Sequence, residues 1–164
     1  MIRVALITVS DSVAAGTRED RSGPKLRGQV ESFGWQVAAE EIVPDERDQI
    51  AAMVRRLADS GQCSVVITTG GTGVALRDVT PEATRDVIDR EIPGLAELMR
   101  AEGRKATHFA VLSRAVAGTR GRTLILNVPG SPKGAVESLD AVAKLIPHIV
   151  DLLEGRTSHR DVPN

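Results

Sequence analysis

The sequence predicts an α/β protein with a mostly parallel sheet covered by helices on both faces. Three observations carry that prediction. Short apolar runs rich in β-branched residues, Val4–Val9, Val65–Ile67 and Thr123–Val128, read as strands buried on both faces. Longer segments with apolar residues at helical spacing lie between them, and such alternation argues for a covered parallel sheet. Each run also stops at a polar or glycine-rich turn, the place where open α/β sheets bind ligands.

Taken in order, Val4-Ala5-Leu6-Ile7-Thr8-Val9 is the first strand and ends in the polar triplet Ser10-Asp11-Ser12. Ala14 to Gly23 is small, charged and glycine-bearing, which predicts a loop. A helix starts at Ser22-Gly23-Pro24 and runs to about Phe33, with Leu26, Val30 and Phe33 on one face; Gly34 stops it. Trp35 to Val43 is a second, weakly alternating strand that ends at Pro44-Asp45-Glu46. Arg47 to Ser60 is the next helix, with the stripe Ile50, Met53, Val54 and Leu57, and Gly61 ends it.

The most informative stretch is Ser64 to Thr84, SVVITTGGTGVALRDVTPEAT. After the strand Val65-Val66-Ile67, the run Thr68-Thr69-Gly70-Gly71-Thr72-Gly73 suits neither a strand interior nor a helix. Glycine admits positive φ and lets a ligand approach the main chain closely. Thr80 as N-cap, Pro81 at the first helical position and Glu82 in the first turn mark a helix start. Strand, glycine loop and helix start can hold an anion on backbone N–H groups. A turn of this composition can equally serve only to reverse the chain. Asp78, an acid that no cap requires, favours the ligand. The motif is neither a Walker A loop nor the dinucleotide G-x-G-x-x-G.

The helix from Thr80 is expected to run to about Asp89, with a break at Glu91-Ile92-Pro93-Gly94. Leu95 to about Lys105 is a further helix carrying Leu95, Leu98 and Met99. Thr107 to Arg114 fits a short strand or a short apolar helix. Gly118 to Arg122 reads as a turn, and Thr123–Val128 as the last strand. That strand stops at a second glycine loop, Pro129-Gly130-Ser131-Pro132-Lys133-Gly134. The final helix runs from about Ala135 to Leu153, and Pro147 is expected to kink or break it.

At 164 residues the chain is expected to form one domain over 1–155, with 156–164 a polar tail. A formal net charge of −1, from 21 basic and 22 acidic side chains, gives no footprint for nucleic acid or a charged membrane. Aromatics at 2 % leave no platform for stacking bases. The single Cys63 excludes an internal disulfide and a cysteine-built metal cage, and its place at the mouth of an apolar strand reads as a buried, inert thiol. No apolar stretch approaches the ~20 residues of a spanning helix, and the opening residues do not make a signal peptide. The expectation is a soluble, cytoplasmic protein.

Right-handed crossovers put the loops after parallel strands on one rim. Ser10–Ser12, Asp45, Thr68–Asp78 and Asn127–Gly134 should gather there. The rim then holds Asp11, Asp45, Asp78, several hydroxyls, two glycine loops and Lys133. His108, His148 and His159 all fall off it, so neither a Ser-His-Asp set nor histidine–cysteine metal spacing is present. Carboxylates without histidine suit Mg²⁺, which takes one or two of them together with substrate phosphates. Glycine-loop amides and Lys133 would bind phosphate oxygens. The reaction class that follows is phosphoryl or nucleotidyl transfer. The competing reading makes Asp11 and Asp45 caps or turn residues only.

Several separated motifs share one resemblance. TTGGTG-x₃-RDVTPEAT at 68–84, IPGLAELMR at 92–100, LSRAVAG at 112–118 and LILNVPGSPKGAVESL at 124–139 closely resemble the molybdopterin adenylyltransferase family, the MogA/MoaB group related to the gephyrin G domain. VSDSVAAGTREDRSGP at 9–24 and LIPHIVDLL at 145–153 extend the similarity over about residues 4 to 153. The resemblance implies a three-layer α/β/α sandwich that assembles as a homotrimer, or as a hexamer in MoaB-like members. It implies adenylylation of molybdopterin by ATP and Mg²⁺ with release of pyrophosphate, and hand-over to a molybdenum insertase. By motif, Asp45 and Asp78 correspond to an acidic catalytic and metal-holding pair. Ser10, Asp11, Ser12, Thr69, Gly70, Gly71 and Gly73 correspond to nucleotide-binding positions. Ser113, Pro129, Gly130, Ser131 and Lys133 correspond to molybdopterin-binding ones. Two alternatives stay open: a MoaB-like molybdopterin-binding protein without the transferase activity, and a scaffold of the kind gephyrin also provides.

Overall fold

The structure is a computed structural model that describes residues 1–156. Six strands form one sheet: β1 (Arg3–Val9), β2 (Gln36–Val43), β3 (Val65–Thr69), β4 (Arg90–Glu91), β5 (Ala117–Arg120) and β6 (Thr123–Val128). Their spatial order is β2-β1-β3-β6-β5-β4. The first four in that order run parallel, while β5 is antiparallel to both of its neighbours.

Alternation along the central strands explains the layers. Val4 and Leu6, Val65 and Ile67, and Leu124, Leu126 and Val128 face one way. They pack under α2 (Ser22–Ser32), α5 (Pro93–Gly103), α6 (Pro132–Val142) and α7 (Ile146–Leu153). Ala5, Ile7, Val66 and Ile125 face the other way, under α3 (Arg47–Asp59) and α4 (Thr80–Arg85). The result is the expected α/β/α sandwich. Apolar residues lie on both faces because both faces are core.

The register sets the rim. Thr8 of β1 pairs with Thr69 of β3, Thr69 with Val128 of β6, and Val9 with Val43 of β2. The parallel strands therefore end level. Ser10, Pro44, Gly70 and Pro129, the next residues along each chain, emerge side by side.

Several expectations need correction. Thr80 is not an N-cap; it is the first residue of α4, and its hydroxyl donates to the Gly70 carbonyl at 2.9 Å. The helix ends at Arg85 instead of Asp89, because the Asp89 amide donates to Thr119 O at 2.7 Å and draws the chain into the sheet. The supposed break at Glu91 and the supposed turn at Gly118–Arg122 contain the edge strand β4 and its neighbour β5, with the reversal at Gly121, where φ is +53°. Asp11–Ala14, expected as a polar strand end and the start of a loop, is the short helix α1, capped by Ser10 Oγ at 3.3 Å from the Val13 amide. His108–Leu112 is a 3₁₀ turn. The final helix does break: α6 and α7 are separated by a 3₁₀ turn, Ala143–Leu145, and Pro147 sits in the first turn of α7. The tail expected at 156–164, His159 included, lies outside the described residues apart from Arg156. Among the described residues no helix is long and apolar enough to cross a membrane.

One buried polar group ties the layers below the rim. Asn127 of β6 is wholly buried; its Nδ2 donates to Thr68 Oγ1 at 2.8 Å and Thr84 Oγ1 at 2.9 Å. Its Oδ1 accepts from the Val116 amide at 3.1 Å. Asn127→Ala removes all three bonds and strands a buried amide. It should lower the unfolding free energy in urea by about 2–3 kcal/mol. A loss within error of zero would show that the network holds nothing.

Candidate functional site

The glycine loop is built from its carbonyls outward. Gly70 and Gly71 have φ of +103° and +67°, conformations that side chains rarely adopt. Four successive carbonyls are each taken by a protein donor. Gly70 O accepts from Thr80 Oγ1 at 2.9 Å, and Gly71 O from the Thr80 amide at 3.1 Å. Thr72 O accepts from the Arg114 amide and Gly73 O from Arg114 Nε, both at 2.8 Å. In a trans peptide the N–H points opposite to the C=O. The amides of Gly71, Thr72, Gly73 and Val74 therefore point away from these donors, and none of them donates to a partner among the described residues. A run of unpaired amides of this kind has the donors with which backbone concavities bind anions.

Two cavities meet at this loop. One, of about 340 Å³, is lined by Ser10, Asp45, Thr69 and Gly70 among others. The second, of about 420 Å³, is lined by Thr72, Gly73, Met99, Phe109 and Ser113, together with Pro129. Gly71, Asp78, Gly130 and Ser131 line both. Of the three aromatic side chains in the sequence, Phe33 and Trp35 pack on each other 4.9 Å apart, and Phe109 borders the larger cavity. The second glycine loop is pinned to the first: Thr69 Oγ1 donates to Pro129 O at 2.7 Å. A Cβ at Gly130 would sit 3.2 Å from Gly70 Cα.

Asp45 and Asp78 have the same division of labour between their oxygens. Asp45 Oδ2 accepts from the Asp11 amide at 2.9 Å, and Asp78 Oδ2 from the Ala75 amide at 2.9 Å. Asp45 Oδ1 and Asp78 Oδ1 carry no hydrogen bond among the described residues. Burial pushes Asp45 up, and the charges of Asp11 and Asp78 add to the shift. Asp11 behaves differently. Its Oδ1 accepts from the Asp45 amide at 3.0 Å, and both its oxygens accept from the Arg77 guanidinium at 3.0 Å. The arginine, then the Asp45 amide, hold its carboxyl below the usual range. Asp11 is thus a pin for Asp45, and it lines neither cavity.

The remaining expected residues fall into two groups. Ser10, Thr69, Gly70, Gly71, Gly73, Ser113, Pro129, Gly130 and Ser131 are brought to the cleft. Ser131 also caps α6, its Oγ accepting from the Gly134 amide at 3.2 Å. Ser12 and Lys133 are not brought in. Ser12 lines neither cavity, and its Oγ meets Ser10 Oγ at 3.2 Å. Lys133 is 82 % exposed and lies 3.8 Å from Glu137, one helical turn on. His108 and His148 are exposed, and buried Cys63 donates to Leu57 O at 3.4 Å, its thiol pushed up by burial.

Three residues at the site escaped the sequence reading. Asp20 borders the smaller cavity, with both oxygens used, by the Gly23 amide at 3.0 Å and Thr8 Oγ1 at 2.8 Å. Arg77 bridges Asp11 to Glu46. Arg114 spans the glycine loop. The two arginines lie inside RDVTPEAT and LSRAVAG, yet spacing does not reveal which carbonyls or carboxylates a guanidinium will meet.

Fold and site together define a three-layer α/β/α protein with a two-chambered cleft, lined by backbone amides and by the half-free carboxylates of Asp45 and Asp78, at the carboxyl rim of its sheet. Residues 5–148 match the family described as "Probable molybdopterin binding domain", and the chain belongs to that family. It is 43 % identical over 156 residues to the molybdopterin adenylyltransferase of Helicobacter pylori strain J99, covering 94 % of this chain and 89 % of the relative. To the molybdopterin adenylyltransferase of Escherichia coli K12 it is 38 % identical over 168 residues, covering 94 % and 86 %. The crystal structure of the molybdopterin biosynthesis enzyme MoaB from Thermus thermophilus superimposes with a TM-score of 0.89 at 52 % identity, covering 94 % of this chain and 98 % of that one.

The raised pKa of Asp45 has a consequence for stability. An acid that holds its proton more tightly when folded stabilises the fold at low pH. That contribution is lost as pH rises from the unfolded carboxylate value through the folded one. Asp45→Asn keeps an acceptor for the Asp11 amide and removes the charge. In urea titrations it should be at least as stable as the wild type at pH 7, with the difference closing as pH falls below the carboxylate range. A variant clearly less stable at pH 7 contradicts this electrostatic account.

Proposed function

We propose that the chain adenylylates molybdopterin, using ATP and a divalent cation and releasing pyrophosphate, in molybdenum cofactor biosynthesis. The observation that carries this reading is the pairing of two half-free carboxylates with a row of unpaired amides in one cleft. The relatives named molybdopterin adenylyltransferase supply the chemistry. The terminal phosphate of the pterin would attack the α-phosphorus of ATP.

Among the described residues no three His, Cys, Asp or Glu side chains gather into a ready-made metal cage. Asp45 and Asp78, beside Gly71 and Gly73 of the loop, each have one oxygen without a hydrogen bond among the described residues, and two carboxylates completed by phosphate oxygens and water is a donor set that Mg²⁺ accepts. The upward push on Asp45 from burial and neighbouring acids is one that a cation would offset. When bound, the metal supplies neutralisation of phosphate charge. The chain's own part is positioning. The amides of 71–74 receive phosphate oxygens, Gly130 and Gly70 let the backbone approach closely, and Asp11 with Arg77 keeps Asp45 aimed. The larger cavity, with Phe109 and Met99 on its wall, has apolar surface suited to a flat heterocycle. We place the protein in the cytoplasm as a homotrimer, with residues 1–155 as one functional unit, and Lys133 reaches phosphate only if it leaves Glu137.

With ATP, Mg²⁺ and molybdopterin together, the protein should release pyrophosphate, and no release should occur when the pterin is left out. Asp78→Asn should cut the rate by about 100-fold or more while the far-ultraviolet circular dichroism stays unchanged. Chelating the metal should abolish turnover. Tight pterin binding without any nucleotide turnover would instead identify a binding protein.

A further inference from the structure

Among the described residues, Arg114 is the one side chain that grips both ends of the segment from the glycine loop to Asp78. Its Nε donates to Gly73 O at 2.8 Å and its Nη2 to Asp78 O at 2.7 Å. Its own amide donates to Thr72 O at 2.8 Å. The remaining nitrogen, Nη1, binds Glu82 in the first turn of α4, and that contact holds the Glu82 carboxyl below its usual range. Arg114 itself lines neither cavity. It works from behind the loop.

Peptide planarity turns this grip into a statement about the cleft. With Thr72 O and Gly73 O drawn to Arg114, the N–H groups of Gly73 and Val74 are directed away from it. With Asp78 O held as well, the backbone that carries the Asp78 carboxylate cannot rotate freely. The turn is closed from within by Asp78 N to Ala75 O at 3.0 Å and Ala75 N to Asp78 Oδ2 at 2.9 Å. Arg77, held by Asp11 and Glu46, is the other tether of the segment between, while Val74 and Leu76 are 69 % and 99 % exposed. Neither side chain is held by the core.

We propose that Arg114 is a positioning residue for the nucleotide, orienting the Gly73 and Val74 amides and the Asp78 carboxylate as one rigid unit through the carbonyls behind them. The role in nucleotide binding rests on the adenylyl-transfer reading; the role in ordering the loop does not. A planar guanidinium suits the task, because Nε and Nη2 project in fixed directions and can hold two carbonyls at once. A lysine ammonium is a single point donor and cannot hold that pair at a fixed separation.

The test uses the full chain and two variants, Arg114→Ala and Arg114→Lys. Hydrogen exchange without any ligand reads the loop, and calorimetry with ATP and Mg²⁺ reads the cradle. In Arg114→Ala the amides of Ala75, Asp78 and Thr80 should exchange about tenfold faster or more, while β3 and β6 keep their protection. ATP affinity should fall by about tenfold or more, the scale of one or two lost charge-assisted bonds. Arg114→Lys should remain defective, and low, non-denaturing guanidinium should restore part of the ATP binding to Arg114→Ala but not to Arg114→Lys. Unchanged exchange in a folded Arg114→Ala, or wild-type ATP affinity in it, overturns the proposal. Full activity of the lysine variant overturns it too, since charge alone would then suffice. If the wild type itself binds no ATP while the loop still loosens in Arg114→Ala, the adenylyl-transfer reading fails and the ordering of the loop by Arg114 stands.

Discussion

The structure depends on how four carbonyls in a row, Gly70 to Gly73, find their donors. Backbone polar groups away from water need partners, and a strand gives each residue both a donor and an acceptor bond. Past the end of β3 the Gly70 amide still donates to Val128 O at 3.2 Å, and from Gly71 to Gly73 the chain keeps only the acceptor half. Thr80 and Arg114 satisfy the carbonyls, and the amides are left to whatever enters the cleft. A phosphate would complete what the protein leaves open. The positive φ at Gly70 and Gly71 makes the arrangement sterically attainable. Any Cβ at Gly70 would run into the Val9 carbonyl, and any at Gly71 into the Thr80 hydroxyl.

Charge in the cleft follows the same logic of partial satisfaction. Asp11 is fully partnered, by Arg77 and by the Asp45 amide, so it is comfortable as an anion. Asp45 is half partnered, more buried, and close enough to Asp11 and Asp78 to feel them. Asp45 and Asp78 each keep an oxygen without a hydrogen bond among the described residues, although Arg18 and Arg21 border the same cavity. A protein selected only for stability would have little reason to keep Asp45 ionised there. The reciprocal amide–carboxylate pair between Asp11 and Asp45 also shows how two strand ends, 34 residues apart in sequence, are locked at the rim.

Much of this was legible in the chain. Val4–Val9, Val65–Ile67 and Thr123–Val128 announced buried strands because both faces of a covered sheet must be apolar. Pro147 announced the break in the last helix because its ring leaves no amide for an interior turn. The rim itself followed from parallel strands, and Asp45, Asp78 and both glycine loops meet on it. Errors came where a long-range partner outweighed local preference. Thr80 looks like a cap by position, but its hydroxyl is claimed by Gly70 across the turn. Gly118–Arg122 looks like a turn by composition, but β6 supplies an edge, and glycine suits position 118 because Arg90 O and Ile88 crowd the site of a Cβ.

What the sequence determined alone is what short-range rules govern: the strand and helix periods, the glycine positions, and the order that makes the sheet parallel. Tertiary structure decided the rest. It bound Asp11 to the Asp45 amide and to Arg77, left Lys133 on an outward turn of α6, and brought in Arg77 and Arg114. A guanidinium on a long side chain reaches residues tens of positions away in the chain. Which carbonyl or carboxylate it meets is fixed only once the layers have packed.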